Sequence, residues 1–371
     1  MKILGIETSC DETAAAVVED GSTILSNVVV SQIDIFAEYG GVIPEVAARS
    51  HLEVIMPVIA RALSDASCTW DDIDAIAVTY APGLLGSLLI GTLTARTLAI
   101  LHDKPLYAVH HLKSHVYANW LENKMVLSRD GSLAPVVTGL APSSSAVASG
   151  SPRVAPILFP VLALVVSGGH TQILYMPSHN KFEIVGTTHD DAVGECFDKV
   201  AKILGLPYPG GPSIAKAALS GNPDKYKLPH PKVRGLDFSF SGLKTAVLRA
   251  VQKELGLPIS HPSHDLKNHL SSEQVADFAA SFQKTAVAIL CEKLSLALAR
   301  YPDIQSVVIA GGVSANQELR KALPEAYFPE PKFSGDNGAM VAAACYYEIE
   351  SGVAPVDPYS LNIYPRISIE S

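Results

Sequence analysis

The alternation of apolar and polar residues along the chain follows a pattern that occurs twice. Residues 2–7, 14–19 and 23–30 are predicted to form three apolar strands, with a small polar turn after the first. The same order of strand, small polar turn, strand and strand returns within 161–187. Because self-similarity of this kind indicates a repeated structural unit, we expect a duplicated α/β protein with two lobes. Two such lobes that face each other leave a cleft, into which the turns point.

Apolar residues at helical spacing fill the rest of each half and alternate with further short strands. This order is typical of sheets that are covered by helices. The main predicted helices cover about 45–63, 86–101, 193–204, 271–300 and 339–348, and the further strands cover 73–79, 106–109 and 306–310.

Residues 122–159 interrupt this pattern. The stretch is rich in Ser, Ala, Gly and Pro and has too little bulky apolar surface to fold alone. We interpret it as a flexible surface insertion between a first lobe, 1–121, and a second lobe, 160–335. The C-terminal helix, within about 336–371, is expected to pack back on the first lobe.

The composition indicates a globular, cytoplasmic protein. Of the 371 residues, 48% are hydrophobic and 18% are charged, which suits two sizeable cores. No apolar run reaches the ~18 residues of a membrane span, and the N-terminus has no secretory signal. The five cysteines are scattered and form no CxxC pair, which favours a reducing compartment and argues against a cysteine-based zinc site.

Charge is distributed unevenly along the chain, whose net charge is −9. Residues 199–253 carry ten Lys and Arg against two acids, whereas residues 1–75 carry thirteen acids against three bases. A solvated helix face is the simplest explanation of a basic stretch. Such a strong local excess in an acidic protein nevertheless favours a surface that binds a polyanion.

A pair of histidines, His111 and His115, lies in the helix predicted after strand 106–109. Their four-residue spacing places both imidazoles on one face of a helix, where they can share a divalent metal ion. Asp336, in a glycine-flanked turn before the last helix, could complete a His-His-Asp site with open positions, or serve only as a helix cap. A metalloprotease is disfavoured because Leu112 stands where the HExxH motif has its glutamate.

Glycine-rich turns suggest a nucleotide in the cleft. Ser167-Gly168-Gly169, Gly210-Gly211-Pro212 and Gly311-Gly312 each lie next to a predicted strand or helix, where backbone N–H groups can approach an anion closely. Each pair alone is weak, but the three occur together in a duplicated chain. Asp198, on the helix before Gly210, could accept a hydrogen bond from a ribose hydroxyl or could simply face solvent.

Seven motifs together carry a specific resemblance, which runs from residue 3 to about 350 except for 122–159. They are Gly5-Ile-Glu-Thr-Ser-Cys-Asp-Glu-Thr13, His111-x-x-x-His115, Val165-Val-Ser-Gly-Gly-His170-Thr, Gly194-Glu-Cys-Phe-Asp-Lys199, Tyr208-Pro-Gly-Gly-Pro212, Phe238-Ser-Phe-Ser-Gly-Leu-Lys244 and Gly311-Gly-Val-Ser-Ala-Asn316. In these the chain resembles the bacterial TsaD family of tRNA N6-adenosine threonylcarbamoyltransferases, earlier named glycoprotein endopeptidases.

The resemblance implies an actin-like, sugar-kinase-like (ASKHA) fold with an interlobe cleft. It implies transfer of a threonylcarbamoyl group from threonylcarbamoyl-adenylate to N6 of the adenosine next to the anticodon, in tRNAs that read codons starting with A. It also implies two protein partners, a paralogous TsaB-type subunit and a small TsaE-type ATPase. A kinase or ATPase of the same fold would not need the histidine pair, and a non-catalytic paralogue would be expected to have lost it.

The resemblance also implies functional residues. A single ion, Fe²⁺ or Zn²⁺, would bind residues that match the family's metal ligands, His111, His115 and Asp336. The adenylate would bind Val165, Val166, Ser167, Gly168, Gly169, Asp198, Gly211 and Asn316. Some members have an aspartate that contacts the ribose where this chain has Ala215, so the chain departs from the family pattern at that position. The insertion is longer than is usual for the family and follows the metal helix.

The chemistry of such a transfer requires little beyond positioning and charge control, because the mixed anhydride is already activated and AMP is a good leaving group. Asp11 and Glu12 lie on the first-lobe turn that is expected to face the cleft. Either carboxylate could accept the proton that the attacking amine loses.

Overall fold

A computed structural model describes residues 1–122, 156–231 and 233–370; most of the predicted insertion, 123–155, lies outside them. The strands are β1 (Lys2–Glu7), β2 (Glu12–Glu19), β3 (Thr23–Ser31), β4 (Ala75–Ala81), β5 (Leu106–His110), β6 (Val161–Val166), β7 (Thr171–Met176), β8 (Glu183–Thr187) and β9 (Ser306–Ala310). The α-helices are α1 (Ile33–Tyr39), α2 (Pro44–Asp65), α3 (Leu85–Leu101), α4 (His111–Tyr117), α5 (Val193–Leu204), α6 (Gly210–Ala218), α7 (Ser241–Glu254), α8 (Ser272–Arg300), α9 (Gln317–Ala322) and α10 (Gly338–Glu350).

Two mixed sheets share one topology. The first has the strand order β3-β2-β1-β4-β5 and the second has the order β8-β7-β6-β9. In the first sheet β1 is antiparallel to β2 and parallel to β4, and in the second β6 is antiparallel to β7 and parallel to β9. The duplicated α/β architecture that the sequence predicts is therefore confirmed.

The elements pack in five layers. Helices α2 and α3 cover one face of the first sheet, and α5, α7 and α8 cover the outer face of the second. Between the sheets lies a third core, to which α4 and α10 both contribute. From Gly338 to Cys345, helix α10 is buried on all sides, as expected of a helix that is apolar all round.

The start of α10 approaches the first sheet so closely that glycine is needed on both sides. A Cβ atom on Gly5 would lie 2.2 Å from the Gly338 carbonyl oxygen, and one on Gly338 would lie 2.6 Å from the Ala16 nitrogen. Any larger residue at either position would push helix and sheet apart. Asp336 lies two residues before Gly338, so this contact helps to fix its position.

The last residues of the chain cross from the first sheet to the second. The guanidinium group of Arg96 donates to the backbone carbonyl of Tyr359 at 2.8 Å, and the Tyr364 N–H donates to the Tyr80 carbonyl at 3.1 Å. At the far end, the Ile184 N–H donates to Glu370 Oε1 at 2.7 Å. None of the helices in the described part of the chain combines the length and apolar character that a membrane span requires.

Two local predictions differ from the structure. The strand predicted over 73–79 begins at Ala75, because Thr69 and Asp72 close a capping box around a short helical turn that ends just before Ile73. Helix α1 was not predicted. Phe36 is its one buried residue, so it carries no apolar stripe that a sequence pattern would show.

Candidate metal and nucleotide site

The structure brings His111, His115 and Asp336 together between the two sheets. The two imidazoles belong to the first turns of α4, with ring centroids 4.6 Å apart. Oδ1 of Asp336 lies 3.1 Å from Nε2 of His115 and 3.6 Å from Nε2 of His111. One ligand atom from each residue lies within 4.8 Å of the others, so the three side chains form a possible metal site.

The donor atoms fit a bound cation. Both ring nitrogens of His115 are buried without a hydrogen-bond partner, although Nε2 is close to the Asp336 carboxylate. A buried imidazole nitrogen normally has a partner, and a metal ion ligated by His115 and Asp336 would supply one. Two imidazoles and a carboxylate are ligands that iron and zinc both accept.

A second carboxylate, that of Glu7 at the end of β1, orients His111. Glu7 is fully buried, and its Oε2 lies 3.1 Å from Nδ1 of His111. The Thr79 hydroxyl donates to the same oxygen at 2.6 Å. A carboxylate that accepts a hydrogen bond from the Nδ1–H group leaves Nε2 of the ring free to bind an ion. The sequence alone gives Glu7 no role, since its one signal is an acid that ends an apolar strand.

Mutual charge controls protonation in the cluster. Burial opposes ionisation of Asp336, but the charges of His111 and His115 outweigh it and hold the pKa of Asp336 at about 2. Burial also lowers the pKa of His111, and the nearby Asp336 and Glu7 carboxylates more than compensate, which raises it to about 9. A proton on His111 therefore competes with a cation at neutral pH.

His170, which follows the Gly168-Gly169 turn, is near enough to the cluster to interact with its charges. Burial, together with the charges of His111 and His115, lowers the pKa of His170 to about 4. A neutral imidazole thus faces the ligand set. The sequence motif around Gly169 contains His170, but the spacing of that motif alone gives it no role.

Asp11 and Glu12 lie on the same cleft. Burial raises the pKa of both carboxyl groups, and the Asp336 charge and their mutual interaction add to the shift of Glu12. Like charges so close together cannot both ionise readily. Glu12, whose pKa is raised to about 10, therefore keeps its proton at neutral pH.

The glycine turns after β6 and β9 lie side by side because these strands are parallel neighbours. Gly168 and Gly169 are exposed, and a Cβ atom on either would meet no atom within 4 Å. Gly311 has φ +87°, and a Cβ atom on it would lie 2.5 Å from the Val166 carbonyl oxygen. Glycine is thus structurally required at 311, whereas at 168 and 169 it leaves open space beside the backbone. The predicted residues Val165 and Val166 are buried and offer only their backbone.

Asp198 and Asn316 hold the starts of α6 and α9, and Gly211 lies in the first turn of α6. Asp198 Oδ1 accepts the Gly210 N–H at 2.6 Å, and burial raises the pKa of Asp198 to about 6. A Cβ atom on Gly211 would meet nothing within 4 Å. Asn316 caps α9, and its Nδ2 donates to Gln283 Oε1 at 2.8 Å. Asp198 and Asn316 therefore have structural roles, and nucleotide binding by them stays a prediction.

A cavity of about 580 Å³ opens beside His170. Pro82 and Gly83 line one side of it, and the C-terminal segment 365–368 lines another. The segment is held there in part by the Gly83 N–H, which donates to the Pro365 carbonyl at 3.3 Å. The cavity is large enough for a small-molecule ligand.

The duplicated sheets, the layered cores and the cleft that holds these groups define a duplicated α/β protein with a candidate metal site between two mixed sheets. A family model described as "TsaD: tRNA N6-adenosine threonylcarbamoyltransferase" matches residues 23–143 and 143–343. The chain belongs to this family of transferases, and the resemblance that the motifs indicate is confirmed.

Relatives named tRNA N6-adenosine threonylcarbamoyltransferase match along the whole chain. The one from Symbiobacterium thermophilum is 45% identical over 99% of this chain and 96% of its own, and the one from Caldicellulosiruptor bescii is 43% identical over 100% and 99%. Among solved structures, component A of the Acidaminococcus fermentans (R)-2-hydroxyglutaryl-CoA dehydratase is 14% identical, with a TM-score of 0.46 over 95% of this chain and 99% of its own. A ROK hexokinase from Thermus thermophilus is 15% identical, with a TM-score of 0.40 over 95% and 100%.

Proposed function

We propose that this chain transfers the threonylcarbamoyl group from L-threonylcarbamoyl-adenylate to N6 of the adenosine next to the anticodon, in tRNAs that read codons starting with A. The products are threonylcarbamoyladenosine and AMP. The observation that carries the proposal is the convergence of the His-His-Asp cluster and the glycine turns in one cleft of a chain that belongs to the transferase family.

Substrate binding in this proposal uses the two sides of the cleft. The backbone of Ser167, Gly168 and Gly169 approaches the AMP part, in the open space that these glycines leave. His111, His115 and Asp336 hold one divalent ion, Fe²⁺ in our proposal and Zn²⁺ as the alternative. When bound, that ion supplies Lewis-acid polarisation of the carbamoyl or phosphate oxygens.

The bond changes are simple. The N6 nitrogen of the adenosine forms a bond to the carbamoyl carbon, the bond from that carbon to the phosphate oxygen breaks, and AMP leaves with the electron pair. The proton that N6 loses passes to the ionised carboxylate of the Asp11–Glu12 pair. Because burial raises the pKa of both groups, either carboxylate is a stronger base than an exposed one.

The basic stretch is the proposed tRNA surface. Lys216, Lys225, Lys227 and Arg234 are all exposed on the second half of the chain, where phosphates could reach them. We further propose that the chain works in the cytoplasm, with a paralogous TsaB-type subunit and a small TsaE-type ATPase. The family name supports tRNA as the substrate.

The experiment is single-turnover transfer. The purified chain, with the two partner subunits added, is mixed with threonylcarbamoyl-adenylate that carries labelled threonine and with a tRNA transcript that reads a codon starting with A. Label should enter the tRNA and AMP should be released in equal amounts. A matched transcript with guanosine in place of the target adenosine should stay unlabelled. Equal labelling of both transcripts, or labelling of neither, would contradict the proposal.

A further inference from the structure

A second group of side chains that could bind a metal ion lies in the connection between α7 and α8, far along the chain from His111 and His115. Nε2 of His261 is 2.8 Å from Oδ2 of Asp265, and Nε2 of His269 is 3.0 Å from the same oxygen. The three residues are spaced four apart. Their ligand atoms all lie within 4.8 Å of one another.

The carboxylate of Asp265 is held in place from its other side. Asn268 Nδ2 donates to Asp265 Oδ1 at 2.9 Å, which turns Oδ2 toward both histidines. Outer hydrogen bonds of this kind orient the ligands of metal sites. The histidine rings stand nearly perpendicular, at 76°, with centroids 5.8 Å apart, so that their nitrogens point to a common position rather than stack.

The backbone around these ligands is fixed independently of them. Gln252 is 2% exposed, and its Nε2 donates to the carbonyls of Ile259 and His261, each at 3.1 Å. Leu266 is fully buried between the ligands, and Ser271 opens α8 with a capping box. The backbone positions of the ligands therefore do not depend on their mutual contact, whereas the contacts with Asp265 orient the two imidazoles.

We propose that His261, Asp265 and His269 form a second metal site, which binds Zn²⁺ and cross-links the connection between α7 and α8. Two imidazoles and one carboxylate are a common protein ligand set for zinc, and the fourth, tetrahedral position would be filled by water. The side chains are 21%, 37% and 46% exposed, so the ion can enter from solvent. Zinc–ligand bonds of about 2.0–2.1 Å set tetrahedral ligands about 3.3 Å apart, so each histidine nitrogen would move a few tenths of an ångström away from Asp265 Oδ2.

Metal stoichiometry tests the proposal. The full chain and its variants are dialysed against Zn²⁺ and their zinc content is measured, with Co²⁺ absorption as a second readout of tetrahedral ligation. The parent chain should bind about two Zn²⁺ and the double variant His261→Ala, His269→Ala about one. His264→Ala is the matched control, because His264 is exposed in the same connection but lies outside the cluster. It should keep both ions.

Two further variants keep the test decisive. Asp265→Asn preserves the shape of the side chain and should lose the ion at His261, Asp265 and His269, which we call the outer ion. A melting curve would show that the variant folds. The double variant His111→Ala, His115→Ala should lose the ion at His111, His115 and Asp336, which we call the inner ion, and should keep the outer ion. The proposal is overturned if His261→Ala, His269→Ala binds as much zinc as the parent, or if the inner-site variant binds none. Either result would mean that the outer cluster is held only by hydrogen bonds.

Discussion

The replacement Gly338→Ala tests whether packing at the start of α10 positions the metal ligand Asp336. The new Cβ atom would lie 2.6 Å from the Ala16 nitrogen and 2.7 Å from the Ala15 carbonyl carbon, whereas ordinary contact begins at 3.4 Å. The helix start must therefore move by about 0.8 Å, and overpacking of this kind costs about 1–3 kcal/mol of unfolding free energy. Metal–ligand distances tolerate only about 0.2 Å, so a shift of this size should weaken zinc binding at least tenfold.

Gly335→Ala is the matched control for this prediction, since it also adds one methyl group beside Asp336. A Cβ atom on Gly335 would meet no atom within 4 Å, so this variant should keep the parent's stability and zinc affinity. The assays are urea unfolding and zinc competition against a chromophoric chelator, in chains that carry His261→Ala and His269→Ala. A Gly338→Ala chain with the parent's stability and affinity would refute the reasoning.

Three more predictions concern other parts of the molecule. Glu7→Gln removes the carboxylate that orients His111 and should lower zinc affinity about 10–100-fold without unfolding, as a zinc titration and a melting curve would show. Burial raises the pKa of Glu348 to about 7 from 4.5, so the folded chain becomes less stable as pH rises through this range. Glu348→Gln should therefore gain stability on the order of 3 kcal/mol at pH 8 and almost none at pH 4, and an equal gain at both would contradict that pKa. Reversing the charges of Lys225, Lys227 and Arg234 should reduce the log–log salt slope of tRNA binding by about 0.7–0.9 per lost phosphate contact, and an unchanged slope would place the tRNA elsewhere.

Local spacing made part of the fold and of the site predictable. The repeated strand–turn–strand opening is visible in the sequence because apolar and polar side chains alternate along a strand over a few residues. Glycine-rich turns then interrupt that alternation. The His111–His115 pair was likewise predictable, because residues four apart lie on the same face of a helix. Asp336 was named as a third ligand from its residue type and its turn, and the structure places it beside both histidines.

Other features depend on contacts between distant segments, which no local pattern records. Glu7 orients His111 from a strand more than a hundred residues earlier in the chain. The side chain of Asn316, named as an adenylate contact, also caps α9 and bonds Gln283. The cluster of His261, Asp265 and His269 has no sequence signal, since four-residue spacing in a connection without a predicted helix does not indicate that side chains converge.

The central claim is that the cluster between the two sheets serves the transfer reaction, and metal reconstitution tests it most directly. The chain is stripped with a chelator, reloaded with graded Fe²⁺ or Zn²⁺ and assayed for transfer of labelled threonine to tRNA in a single turnover. Transfer should rise in proportion to the ion bound by His111, His115 and Asp336, and Asp336→Asn should bind AMP but neither load that ion nor transfer the label. Full transfer by the stripped chain, or by an Asp336→Asn chain with an empty inner site, would contradict the account.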